Sequence, residues 1–190
     1  MFIKISQSIS DSMVEKGIIQ SENEEICRYG VQQIFSILLN LSTMLSVALF
    51  IGMITESILF MAAYIPLRCY AGGYHAKTPL RCYIIFIFTI ISVLLLMKYV
   101  ELTIIVCIVL LIVSAILIFA FSPIEDKNKP LDEIEKKVYR RRAIIILVAE
   151  VVLAFGLIII NLMSFAVCII FSLVTLSVLL IVSKVSVLTK

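Results

Sequence analysis

The chain has 190 residues, 62% of them hydrophobic and 15% charged, with a net charge of +3, and its mean hydropathy is +1.16. A chain with so little polar surface cannot cover itself in water, so the composition excludes a soluble domain and points to one polytopic, all-α membrane domain over 1–190. A single histidine and five cysteines (Cys27, Cys69, Cys82, Cys107, Cys168) without C-x-x-C spacing exclude a zinc set, and their odd number speaks against a disulfide framework.

Residues 1–20 carry Phe2, Ile5, Ile9 and Met13 at helical spacing among polar residues, which predicts an amphipathic interfacial helix rather than a span. No signal-peptide core or cleavage site is visible there. Ser21-Glu22-Asn23-Glu24 reads as a capping box opening the next helix. Six apolar segments then follow at 31–53, 55–67, 79–97, 102–122, 143–161 and 164–183. Each approaches the ~20 residues that a bilayer asks for except the second, which is marginal and holds Pro66, the mark of a kinked or partly re-entrant helix. Cys107 and Cys168 fall mid-span as small buried hydrophobes. With the N-terminus inside, fifteen of the sixteen basic residues fall on the cytoplasmic side and Lys98 alone on the other. That split predicts six spans with both termini cytoplasmic.

Two polar stretches interrupt this map on the same side. The segment 123–142 is read as a basic loop, with Lys136, Lys137, Arg140, Arg141 and Arg142 at the membrane edge. Those cations suit topology anchoring and attraction to anionic lipid; docking of an acidic peptide is the functional alternative. The other stretch, 68–82, contains the chain's one histidine, His75, and Cys82 seven positions on. An imidazole beside a thiol is the usual means of making a nucleophilic thiolate near neutral pH. One straight helix would hold the two about 10 Å apart, so the intervening chain has to bend. Gly72 and Gly73 permit a turn, while Thr78-Pro79 reads as N-cap and first position of the next helix. Cys82 then lies in its first turn, where unpaired N–H groups and the flanking Arg68 and Arg81 favour negative charge. No phosphate loop and no H-E-x-x-H is present. Glu56, Glu101 and Glu150 are read as lying near span ends, which argues against a proton relay.

Arg68-x-x-x-Gly72-Gly73-Tyr74-His75-Ala76 with Cys82 beyond it resembles the signature of the accessory gene regulator B (AgrB) family. The likeness extends to chain length, segment order and the basic stretch. It implies a membrane cysteine endopeptidase of Gram-positive quorum sensing, residing in the cell membrane, with His75 as base and Cys82 as nucleophile. It further implies cleavage of an AgrD-type propeptide and, through an acyl-thioester on Cys82, closure to a thiolactone or lactone. Arg68, Gly72, Gly73 and Arg81, or backbone N–H groups of the 79–82 turn, are candidates for oxyanion stabilisation or positioning. The expected partners are the propeptide, membrane lipids and a second copy of the chain, with no nucleic acid, cofactor or metal. The competing class is a non-enzymatic small transporter or assembly subunit in which the His–Cys spacing is incidental.

Overall fold

A computed structural model describes residues 3–73, 78–124 and 132–188. Among them are seven α-helices, α1 Ile3–Glu15, α2 Glu24–Ile51, α3 Ile54–Ala71, α4 Pro79–Tyr99, α5 Ile104–Phe121, α6 Glu133–Ile159 and α7 Met163–Leu188, and no strand. The helices α2, α4, α5, α6 and α7 are long and apolar enough to cross a membrane. The marginal second segment is α3, whose 18 residues continue through Pro66 as one helix. It packs against both α6 and α7, so protein covers much of its apolar side.

Two helix starts differ from the sequence expectation. Ser21–Asn23 form a 3-10 turn, and α2 begins at Glu24 with Asn23 as N-cap and no side-chain cap bond. The capping box expected at 21–24 is therefore not formed: with the cap at Asn23, the third helical residue is Ile26, which has no acceptor to reach back with. The capping box lies instead at the head of α6. There Asp132 Oδ1 accepts from the Glu133 N–H at 3.1 Å, and Glu135 Oε2 accepts from the Asp132 N–H at 3.2 Å. Helix α6 thus starts ten residues before the apolar segment expected at 143, and Lys136 to Arg142 stand on helix rather than loop. Charge delimits the span but not the helix, which extends beyond the hydrocarbon wherever a cap supports it.

The α1 helix folds back on α2, where Cys27 Sγ meets Met13 Sδ at 3.7 Å. Its contact side is Ser6 and Ser10, both fully buried, while Ile5 stays half exposed. Small side chains allow close helix approach, the pattern of interfaces formed where lipid takes the place of water.

The centre of the bundle is α7: 61% of its apolar window is buried, against 11–22% for the other four candidate spans. One core unites Leu67 and Ala71 of α3 with Leu111, Leu147 and Leu173 of α5, α6 and α7. A second joins Met44, Phe60 and Leu94 of α2, α3 and α4. Tyr64 packs against both. The resulting bundle has two unlike ends. At one, Lys98 Nζ donates to the Ile51 carbonyl at 2.6 Å, and α2–α3 and α6–α7 turn through short links. The other gathers the C-termini of α3, α5 and α7 with the N-termini of α4 and α6, and the described residues of the 68–82 stretch lie there.

Candidate active site

The α3 helix carries a ladder of residues four apart, Phe60, Tyr64, Arg68 and Gly72, which a helix stacks on one face. Phe60 and Tyr64 stack with ring centroids 5.5 Å apart. The helix ends at Gly72, with φ 77° and ψ −154°, a conformation essentially confined to glycine. Arg68 Nη1 donates to the Gly72 carbonyl, and its guanidinium fills the space a Cβ on Gly73 would need. On its other side Gly72 is met by the backbone of Ile124, whose N–H donates to the Ala71 carbonyl at 3.0 Å. A single residue pair, Gly72 and Ile124, forms a parallel bridge. The stretch after α5 thus clamps the exit of α3 against Arg68.

The chain re-emerges at Thr78, where α4 begins as the sequence predicts. Thr78 Oγ1 accepts from the Arg81 N–H at 3.4 Å, with Pro79 at the first position. Cys82 follows in the first turn, half-buried, its N–H donating to the Thr78 carbonyl at 3.1 Å. Next to it, the Tyr83 hydroxyl and Thr43 Oγ1 are 2.8 Å apart, pinning this turn to α2. Pro79 has no N–H, and those of Arg81 and Cys82 are engaged at Thr78, so this turn's share in an oxyanion site reduces to the N–H of Leu80. The Arg81 side chain is exposed.

His75 lies outside the described residues, as do the neighbouring residues 74–77. What the structure brings together at this end is Arg68, Gly72, Gly73 and Cys82. Tyr64 belongs to the same group, its hydroxyl within electrostatic reach of both Arg68 and Cys82. Sequence reasoning missed Tyr64, although the four-residue ladder leading to Arg68 was a signal for it. Of the other thiols, Cys27 is also half-buried in a first helical turn, but at the start of α2, which has no side-chain cap bond, and against Met13; Cys69 is exposed, and Cys107 and Cys168 are buried as expected.

The basic residues of α6 divide between two jobs. Arg142 Nη1 donates to the Tyr70 hydroxyl at 3.2 Å, with its guanidinium 5.3 Å above the same ring. Tyr139 meets Tyr70 edge-on at 5.6 Å. Those contacts tie α6 to the last turn of α3, one residue from the clamp. Lys136 pairs with Glu133 at 3.2 Å, and Lys137, Arg140 and Arg141 are exposed. Glu150 requires a correction. It sits not near a span end but on the buried seam of α6, between Leu147 and Ala154, with 8% exposure. Its Oε2 has no hydrogen-bond partner among the described residues. Counting from the ends of an apolar run hid this position, because the seam is set by the spacing 143, 147, 150, 154 and not by distance from the edge.

A family model, "Accessory gene regulator B", matches residues 4–183. Two proteins described as AgrB-like, both from Clostridium perfringens, are similar over 144 residues. One, from strain 13, is 26% identical and the other, from strain SM101, 25%; each match covers 72% of this chain and 67% of the relative. No solved structure matches. With nearly its whole length covered by the family model, including every site residue named above, the chain belongs to the accessory gene regulator B family.

Proposed function

We propose that the protein acts in quorum-sensing propeptide processing, its family's field, as a membrane cysteine endopeptidase with Cys82 as nucleophile and His75 as base. The observation that carries this reading is the setting of Cys82: a half-buried thiol in the first turn of a capped helix, entered from a glycine exit that Arg68 and Ile124 hold rigid. A nucleophile on a fixed turn and a base on the connecting segment suit attack on a peptide carbonyl at the membrane edge.

The steps balance as follows. His75 takes the Cys82 proton, and the thiolate attacks the scissile carbonyl of the propeptide. The C–N bond breaks, the imidazolium returns the proton to the departing amine, and the N-terminal part remains as a thioester on Cys82. A thiol within that acyl part then attacks the thioester, its proton passing through His75 to the Cys82 sulfur, and a thiolactone leaves. One thioester replaces another, so no nucleotide is needed. Arg68, a cation at the exit of α3 whose guanidinium lies against Gly72 and Gly73, is the candidate to stabilise the tetrahedral oxyanion.

Incubation of the reconstituted protein with an AgrD-type propeptide tests this. Wild type should release the C-terminal fragment and show a hydroxylamine-labile mass adduct on Cys82. Cys82→Ala should do neither, His75→Ala should lose cleavage, and Cys69→Ala should keep both. Cleavage that survives Cys82→Ala, or dies with Cys69→Ala alone, overturns the assignment.

A further inference from the structure

The first turns of α6 have an inner side and an outer side. Facing inward, Arg142 and Tyr139 grip Tyr70. Facing outward, Lys137, Arg140, Arg141, Ile144 and Ile145 line one shallow cleft. Their spacing places all five on a single helical face. Phe119 of α5 supports one flank, with the Arg140 guanidinium 5.7 Å from its ring centre and the ring itself 52% exposed.

Along this face the chemistry changes in one direction. Three cations stand at the motif end of the bundle. One to two turns further toward the middle of the span come Ile144 and Ile145, the latter 58% exposed. A ligand matched to all five needs a negative head and an apolar body in the same orientation as the helix. An acidic peptide would satisfy the cations and leave the isoleucines bare. A phospholipid does both, with its phosphate accepting from the arginine forks and its acyl chains lying along the isoleucines.

We infer that Lys137, Arg140 and Arg141, above Ile144 and Ile145 on the outer face of α6, form a binding site for the headgroup of an anionic phospholipid. The bound lipid braces the same two turns whose other side holds Tyr70, and through Tyr70 the end of α3. The site rests on the membrane setting of the chain and not on its peptidase chemistry.

The test is native mass spectrometry of the full chain released from nanodiscs containing equal phosphatidylglycerol and phosphatidylcholine. Wild type should retain phosphatidylglycerol with a preference of about tenfold or more, in keeping with the attraction of several basic residues to an anionic surface. Lys137→Gln/Arg140→Gln/Arg141→Gln should bring the preference to near unity, while Lys136→Gln and Lys98→Gln leave it unchanged. Ile145→Ser, which keeps every cation and the helix, should weaken lipid retention but not the capture of an acidic peptide. An absent preference in wild type, or an equal loss in Lys136→Gln, overturns the site. Retention of a propeptide-derived acidic peptide by the three cations, with no effect of Ile145→Ser on lipid, replaces it with peptide docking.

Discussion

Gly52 and Gly72 each end a helix, α2 and α3 respectively, and each has φ 77°. At Gly52 the backbone is plainly left-handed, with ψ 33°, and an added Cβ would meet nothing within 4 Å. At Gly72 ψ is −154°, and an added Cβ would run into the backbone of Ile124. The first glycine serves only to reverse the chain at a plain hairpin. The second serves a reversal and a close approach at once, where the exit of α3 meets the stretch after α5. One end of the bundle is built for economy of turning, the other for fixing a geometry.

Substitutions at these two positions should break the molecule unequally. Gly72→Ala has the largest expected effect: the strained backbone and the overlap with Ile124 together should cost about 2 kcal/mol or more in stability. Cleavage of the propeptide should fall by at least about tenfold, since small displacements of catalytic groups are amplified in rate. Gly72→Asn should be no better, because its conformation is not one that asparagine tolerates. Gly52→Ala should cost about 1 kcal/mol and Gly52→Asn a few tenths, both with activity intact. Thermal unfolding in detergent alongside a cleavage assay separates these outcomes. Equal damage at the two glycines would mean that the Ile124 contact carries no weight.

The next effect down concerns the tie between α6 and α3. Arg142→Gln removes a hydrogen bond and a cation–π contact to Tyr70 and should cost about 1–2 kcal/mol, with a several-fold loss of cleavage. Tyr70→Phe removes the hydrogen bond alone and should cost less. At the opposite end, Lys98→Met deletes the bond to the Ile51 carbonyl and should cost about 0.5–1.5 kcal/mol without altering cleavage. Activity that drops with Lys98→Met as steeply as with Arg142→Gln would erase the distinction between the ends. Glu150 sharpens the comparison by a change of opposite sign. Glu150→Leu relieves a buried carboxyl oxygen without a partner among the described residues and should raise stability by about 1 kcal/mol or more. A loss of stability would reveal a partner for that oxygen.

Much of this architecture is legible in the residues. Hydropathy locates six helical segments, and five of them are long and apolar enough to cross a membrane, because a bilayer demands length and apolarity together. Thr78-Pro79 announces the start of α4 since capping is local chemistry, readable from adjacent residues. The same local logic was available at Asp132 and Glu135 and would have begun α6 before its charges ended; a run of lysines and arginines masked it. Beyond local reach the sequence falls silent. Nothing about an isoleucine at position 124 advertises that its backbone will seat on Gly72, and Tyr70 gives no hint of Arg142, 72 positions away. Those are tertiary contacts between unremarkable residue types. The placement of Glu150 was lost for another reason: burial on a helix follows angle around the axis, and an apolar segment read only for its length carries no angle.

The seating of Ile124 on Gly72 has a consequence for recombining members of this family. The connection between α5 and α6 is fixed at its two described ends, Ile124 against Gly72 and Asp132 as the cap of α6. Up to Ile124 it is structural, and a foreign sequence there would unseat the exit of α3. Chimeras that exchange this connection should therefore keep Ser122-Pro123-Ile124 with the parent that supplies α3, and Asp132 with the parent that supplies α6. Crossovers inside Ser122-Pro123-Ile124 should yield inactive protein whichever parent supplies the rest.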